Sequence, residues 1–351
     1  MRAIDVKPGG GAHGLYINPD VARPVPTSEQ CLVRVKAFGI NRGDTLQREG
    51  KYPPPPGITE IMGLEFSGMV EGVGEANGIG SDPEGEWEIG DEVFGLLYGG
   101  GYAEFVVVDK RMLIRKPKEL SWEVCGGLCE VWFTALQALH MVAAYDPAKT
   151  TSVLWHAGGS AVSVAGIQLS QAAHEFYEEK AIHGPLKVFA TSRTQEKCEV
   201  CVQQLGCTGA INTATSAAWD ADIRGMNQGE VDIIFDFVGA PYFQSNLNLL
   251  ARDGVLVSLG LMGGPMVNGP LDISPIVLRR ARIEGTTLRS RSLEYQITLR
   301  DLFVKKVLPH IISGRFQHLV EVAFPWEEIS KAHQMLETNK NTGKVVCTID
   351  M

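Results

Sequence analysis

Residues 153–171 read VLWHAGGSAVSVAGIQLSQ, and the small residues Ala157-Gly158-Gly159-Ser160-Ala161-Val162-Ser163 inside that stretch are the first candidates for chemistry. An apolar run, Ser152-Val153-Leu154-Trp155, leads into them and an apolar-periodic segment follows. The pattern predicts a strand, a tight turn and a helix. Such a turn aims the N–H groups and partial positive charge of a helix N-terminus at an anion, and small residues let the backbone come close. The pattern suits a pyrophosphate. The dinucleotide fingerprint wants three spaced glycines, whereas this loop offers Gly158, then Ser160, then Ser163. An ordinary strand-to-helix turn of an α/β protein is the alternative.

A second group follows the next apolar run, Lys187 to Ala190, in the sequence Thr191-Ser192-Arg193-Thr194-Gln195-Glu196-Lys197. An acid at the strand end would take ribose hydroxyls, while a 2′-phosphate needs a hydroxyl and a cation. No Asp or Glu stands directly at that strand end, so Ser192, Arg193 and Lys197 favour NADPH over NADH, against the alternative of a solvated helix start. Cys198 and Cys201 have redox or zinc spacing, but they sit in a helix-like stretch with no second pair, which reads as a structural pair.

The elements that must position these groups fall into two patterns. Residues 1 to about 120 carry short alternating runs at 31–37, 68–73, 91–95 and 103–108, punctuated by turn residues, which predicts a compact β-rich domain. The period becomes helical over 121–145, and from Thr151 apolar strands (153–155, 187–190, 210–212, 231–236 and 254–259) alternate with amphipathic helices. That alternation means a parallel sheet covered on both faces, a doubly wound α/β domain over 122–280. Stretches 77–88 and 174–185 read as a surface loop and a charged surface insert. The tail predicts helices over 293–313 and 326–339 and a last strand over 344–349, which needs a sheet to join. The simplest arrangement returns it to the N-terminal domain, giving a β-rich domain of 1–121 with 281–351 and a cofactor domain inserted between.

Bulk properties narrow the class. The 351 residues, 44% hydrophobic and 21% charged, can bury a large core in about two domains. A net charge of -9 without a basic run argues against a nucleic-acid surface. No stretch of about 18 apolar residues occurs and the first residues lack a signal-peptide apolar segment, so a cytoplasmic address without a membrane partner is the expectation. Seven cysteines, an odd count spread through periodic segments, argue against a disulfide framework.

Several motifs carry a resemblance: Asn41-Arg42-Gly43-Asp44, Gly63-Leu64-Glu65-Phe66-Ser67-Gly68, Gly90-Asp91-Glu92-Val93-Phe94-Gly95, Glu130-Val131-Trp132-Phe133-Thr134-Ala135 and Asn339-Lys340-Asn341-Thr342-Gly343-Lys344. In order along nearly the whole chain, they resemble the medium-chain dehydrogenase/reductase superfamily and, within it, the zinc-free quinone oxidoreductases. The runs Gly260-Leu261-Met262-Gly263-Gly264, Asn268-Gly269-Pro270-Leu271 and Leu288-Arg289-Ser290-Arg291 are closest to NADPH-using members. The resemblance implies a Rossmann cofactor domain, a β-rich GroES-like catalytic domain, and hydride transfer from NADPH to a quinone in the cleft between them. It implies no metal: zinc-dependent members place a Cys near Asn41 and a His just before Glu65, where this chain has no thiol and Leu64.

By position, the resemblance names Asn41, Tyr52 and Thr134 around nicotinamide and substrate. It implies as cofactor contacts the pyrophosphate loop Gly158-Gly159-Ser160-Ala161-Val162, the segments Phe237-Val238-Gly239 and Leu261-Met262-Gly263, and Lys344. The Tyr52 phenol could hydrogen-bond or stack on a quinone, or merely pack its loop; Asn41 could also be a buried amide holding its loop, and Lys344 a surface lysine beside a strand. Ala161 and Ser163 stand where relatives commonly carry glycine, so a β-carbon could crowd the helix or a hydroxyl could donate to phosphate. Reduction of an enone or enoyl-thioester C=C bond is the alternative reaction, and a low-turnover NADPH sensor or RNA binder the alternative of another class. A homodimer is expected through a sheet edge near Leu256 to Gly263.

Overall fold

The structure is a computed structural model that describes every residue except 8–9, 76–77, 81–86, 178–183 and 351. The expected loop over 77–88 and the insert over 174–185 therefore lie partly outside the described residues. Within the former, Trp87 is buried and its indole donates to Lys110 O at 3.1 Å, so this part is core, not surface loop. The chain forms two compact units, Met1–Phe133 with Arg289–Met351, and Thr134–Leu288. The expected borders lay at 121/122 and 280/281.

In the first unit, β1 (Ala3–Val6) and β2 (Leu15–Asn18) pair antiparallel in a sheet of their own. The main sheet is laid on β3 (Gln30–Ile40) and β4 (Glu65–Glu75), with β5 (Gly78–Gly80), β6 (Glu92–Leu96), β7 (Phe105–Asp109) and β8 (Ile114–Arg115) added to it. β7 alternates buried and half-buried residues, as a strand with one face on a core must. β3 is buried along nearly its whole length, and its end delivers the chain into α1 (Arg42–Arg48). The helical period after 121 resolves into α2 (Trp122–Gly126), α3 (Cys129–Leu136) and a π-helical turn, Gln137–Val142.

The second unit is a six-stranded parallel sheet of β9 (Ser152–Trp155), β10 (Lys187–Ser192), β11 (Gly209–Asn212), β12 (Val231–Asp236), β13 (Leu250–Ser258) and β14 (Arg282–Gly285). Its helices are α4 (Ala161–Gln171), α5 (Gln195–Glu199), α6 (Trp219–Asn227), α7 (Ala240–Leu249) and α8 (Ser274–Leu278). The spatial order β11-β10-β9-β12-β13-β14 is third, second, first, fourth, fifth, sixth, the order of sheets that bind dinucleotides where the winding reverses, here between β9 and β12. Leu154, Phe189, Ile234 and Leu256 lie in one buried core. Trp155 stacks on Phe235 at 3.8 Å between centroids, and Gly166 of α4 lets the indole lie flat, because a Cβ there would come within 2.4 Å of the ring.

Two expectations change here. β10 runs on through Thr191 and Ser192, so both are buried strand residues and not the start of a loop. β13 is paired on both sides, by β12 and β14, so the stretch near Leu256 is not a sheet edge; the edge is β14, whose largely polar sequence carries no apolar strand signal.

The chain then returns to the first unit. The helix expected over 293–313 is two, α9 (Leu293–Lys306) and α10 (Leu308–Ile312), because Pro309 lacks the N–H that a continuous helix needs there. β15 (Val320–Pro325) was not foreseen. A 3₁₀ turn at Trp326–Glu328 precedes α11 (Ile329–Thr338), and β16 (Lys344–Thr348) pairs antiparallel with β3 and parallel with β15. The last strand does complete the N-terminal sheet.

Candidate functional site

In the second unit, the turn after β9 sits beside the point where the strand order reverses. Ala157 takes a left-handed conformation, φ 52, that an L-residue adopts only at some cost. Gly158 leaves no room for a side chain, since a Cβ there would meet Cys201 Sγ at 2.6 Å and Ala190 Cβ at 2.9 Å, whereas a Cβ on Gly159 would have to push aside the Lys197 chain, whose Cδ lies 2.7 Å away. Ser160 is the N-cap of α4, its hydroxyl oxygen accepting from Ser163 N at 3.3 Å. The Ser163 hydroxyl is turned inward and donates to His156 O at 2.7 Å, so it closes the turn instead of crowding the phosphate side. Among the described residues the N–H groups of Ala161 and Val162 have no protein partner, which leaves two donors of the first helical turn for an anion.

A buried network fixes the neighbouring strand ends. His156 Nδ1 and Nε2 lie 2.7 Å from Thr191 Oγ1 and from Asn246 Oδ1. Since Asn246 Nδ2 is given to Asp236 Oδ2, Nε2–H is the donor to Asn246 and Nδ1 accepts from Thr191. Burial lowers the His156 pKa, which keeps the ring neutral as this arrangement requires. Asp236 accepts from the N–H groups of Val238, at 2.7 Å, and Gly239. Phe237 O and Val238 O in turn accept from Met262 N at 2.9 Å and Gly263 N at 2.8 Å. The two segments expected to flank a cofactor, 237–239 and 261–263, are thus joined, with Leu261 and Met262 exposed beside them. Ser192 is buried at the end of β10, Arg193 is exposed, and Lys197 lies along Gly159.

In the first unit, the end of β3 and the start of α1 build a charged centre. Asn41 N donates to Asp44 Oδ2 at 2.8 Å, and Asp44 also accepts from Gly63 N and from the Tyr102 hydroxyl at 3.0 Å. Burial raises Asp44 to about 6 against the lowering effect of these donors. Tyr102 also meets His333, which burial and then Arg48 hold down at about 3 and so neutral. Asn41 Nδ2 donates to Glu65 Oε1 at 3.0 Å, and Lys344 Nζ sits 2.5 Å from both Glu65 Oε1 and Asn41 Oδ1. Gly39 is needed beneath them, since its Cβ would lie 2.2 Å from Glu65 Oε1.

Lys344 is 2% exposed, so it is neither a surface lysine nor an open side chain. Asn41 and Lys344 are brought together. Tyr52 is half-buried near Gly43 and Leu64, and Thr134 begins the second unit, half-buried. Sequence reasoning passed over Glu130 and Arg289, although both lie in motifs that carry the resemblance. Burial, and after it the Glu65 carboxylate, raises Glu130 to about 8. Among the described residues no group of three or more His, Cys, Asp or Glu is placed to hold a metal ion. The seven cysteines are free and buried, and no helix is long and apolar enough to cross a membrane, again among the described residues.

Residues 27–118 match the family described as alcohol dehydrogenase GroES-like domain, and residues 180–304 match the family described as zinc-binding dehydrogenase. A quinone oxidoreductase of Lama guanicoe is 28% identical over 99% of this chain and 97% of its own length. Among solved structures, a mycobacterial protein complexed with NADPH is 25% identical, with a TM-score of 0.80 over 99% of this chain and 100% of the other. The Escherichia coli quinone oxidoreductase complexed with NADPH shares the fold, with a TM-score of 0.81 at 22% identity over 99% of this chain and 100% of the other.

Proposed function

We propose, for a chain that belongs to the medium-chain dehydrogenase/reductase superfamily, that it is an NADPH-dependent quinone oxidoreductase working without zinc. The observation that carries this reading is the turn over 157–163, which combines the reversal of strand order, two open helix N–H groups and tightly packed small residues. These features fit a pyrophosphate. Ser192, Arg193 and Lys197 would take the 2′-phosphate, with the joined segments 237–239 and 261–263 alongside. When bound, the cofactor supplies a hydride, and a quinone accepts one readily because its product is aromatic. Asn41, Tyr52 and Thr134 remain the residues assigned to nicotinamide and acceptor, and the relative's name supports the quinone class.

The residues of the first unit do not fit a catalytic metal. Lys344 supplies an ammonium between Asn41 Oδ1 and Glu65 Oε1, so the anionic centre already has its cation, and Leu64 offers no ligand atom. We assign the homodimer contact to the edge strand β14, near which Ile273, Val277, Leu278 and Ile283 are exposed. Sedimentation at several concentrations tests that assignment. A single monomeric species throughout would overturn it.

The reaction is tested by mixing the purified protein anaerobically with NADPH and a benzoquinone, with and without a strong chelator. Equal NADPH consumption in both supports the proposal. Consumption only with an enone would replace the acceptor, loss in chelator would restore the metal, and no consumption despite NADPH binding would favour a sensor.

A further inference from the structure

Glu130, Tyr52 and Arg289 form a cluster in the first unit whose polar groups the protein leaves open. Arg289 is 3% exposed; its Nε donates to Tyr98 O at 2.6 Å and its NH1 to Gln47 Oε1 at 2.9 Å, while its NH2 is buried with no partner. The guanidinium carbon lies 5.6 Å from the centre of the Tyr52 ring. Neither the Tyr52 hydroxyl nor the Glu130 carboxyl makes a hydrogen bond to the protein among the described residues. Glu130 stands in the first turn of α3, its backbone N–H donating to Glu65 Oε2 at 2.9 Å, and keeps part of its surface open to solvent. Buried polar groups are normally satisfied, so the unpaired Arg289 NH2, beside a carboxyl and a phenol that the protein also leaves without a partner, marks a place that a ligand completes.

We propose that Glu130 is the general acid of the reaction, giving its carboxyl proton to an oxygen of the bound acceptor, while the open N–H of Arg289 holds the acceptor in place. This rests on the oxidoreductase reading above. The acceptor gains two electrons and a hydrogen nucleus as hydride, and the Glu130 O–H bond breaks as an O–H bond forms on the acceptor. The resulting carboxylate regains a proton from water. One reduced cofactor, one proton and one quinone become one oxidised cofactor and one quinol.

The charges around Glu130 suit that task. Glu65 on β4 and Asp44 on α1 disfavour a carboxylate, whereas Lys344 on β16 and Arg289 favour one; the neighbouring Cys129 thiol and Tyr52 phenol are themselves pushed up by burial and stay neutral. Burial outweighs the two cations, and the group is held near 8, in its acid form at neutral pH. A proton donor with a pKa close to the working pH is the most effective kind. Burial raises the Tyr52 phenol above its ordinary value, which makes it the poorer acid and leaves it an orienting role.

The test uses the full chain and Glu130→Gln, with NADPH and a benzoquinone across neutral and alkaline pH. The expected result is a loss of about 100-fold in kcat, an unchanged Kd for NADPH, and disappearance of the fall in kcat that the wild type shows above about pH 8. A variant that keeps kcat within a few fold together with that alkaline limb would overturn the proposal. An infrared spectrum of the wild type, compared with Glu130→Asp and Glu130→Gln, does not depend on turnover. It should show the carbonyl stretch of a protonated carboxyl at neutral pH that is lost in Glu130→Gln and shifts when quinone is added, and its absence would also overturn the proposal. A wild type that binds NADPH but reduces no quinone would refute the oxidoreductase reading instead, with the infrared band still deciding the state of Glu130.

Discussion

Lys344→Met is the perturbation that bears most directly on how the first unit holds its centre together. The Glu65 side chain is wholly buried, and Lys344 is 2% exposed. Removing the ammonium leaves the Glu65 carboxylate with two donors, Asn41 Nδ2 at 3.0 Å and Glu130 N at 2.9 Å, and without its cation. Breaking a buried ion pair by deleting one partner costs about 3–5 kcal/mol. Methionine refills most of the volume and two hydrogen bonds survive, so the expected loss is about 3 kcal/mol, a large share of a typical stability of about 5–15 kcal/mol. With the lysine gone, the Asn41 amide can turn over and offer Oδ1 to a new donor. Glu65→Gln in the Lys344→Met background should therefore recover at least half of the loss. The assay is equilibrium unfolding in urea, followed by the fluorescence of Trp132 and Trp326, both fully buried in the first unit, as a double-mutant cycle. A loss under about 1 kcal/mol for Lys344→Met, or a further loss on adding Glu65→Gln, would refute the assignment of Lys344 as the cation of this centre.

Arg193→Ala should weaken NADPH binding about 10- to 100-fold, the worth of one charge-assisted hydrogen bond, and leave NADH binding unchanged; calorimetric titration with both nucleotides decides it. Gly166→Ala places a Cβ 2.4 Å from the Trp155 ring and should cost about 1–3 kcal/mol, read as a lower melting temperature with altered Trp fluorescence. Stability should peak near pH 6.5. Burial raises Asp44 from 3.8 to about 6 and Glu130 from 4.5 to about 8, so the stability these groups contribute as neutral acids is lost as pH rises through those windows. His318 and His333, lowered from 6.5 to about 3, contribute stability that is lost as pH falls below 6.5. Between pH 6.5 and 8 only Glu130 of these groups still titrates, at most about 1.4 kcal/mol per pH unit, and Glu130→Gln should flatten that slope in melting curves.

The doubly wound unit was legible because buried parallel strands are short apolar runs separated by amphipathic helices, and β9, β10, β11 and β12 all announce themselves that way. β14 did not, since Arg282 and Glu284 interrupt it and it pairs on one side only, so the sheet edge was placed one strand too early. Ser192 looked like a loop residue because β-propensity fades at its polar neighbours, yet pairing with β11 carries the strand through it. The turn at 157–163 was readable as an anion site, but not that the Ser163 hydroxyl would be consumed by His156 O. Lys344 shows the limit most clearly. A lysine at the start of a strand carries no local sign that Asn41, 303 positions away, and Glu65 will enclose it. Glu130 and Arg289 were hidden for the same reason, because their environment is made by residues distant in sequence.

The central claim, that the second unit holds NADPH with its pyrophosphate at the turn after β9, is tested most directly by titrating the purified protein with NADPH and NADH. The account predicts saturable NADPH binding at least about 10-fold tighter than NADH, the margin of one charge-assisted contact to the 2′-phosphate, and further weakened by replacing Gly159 with a larger residue. Failure of both nucleotides to bind, or equal binding of the two, would contradict it.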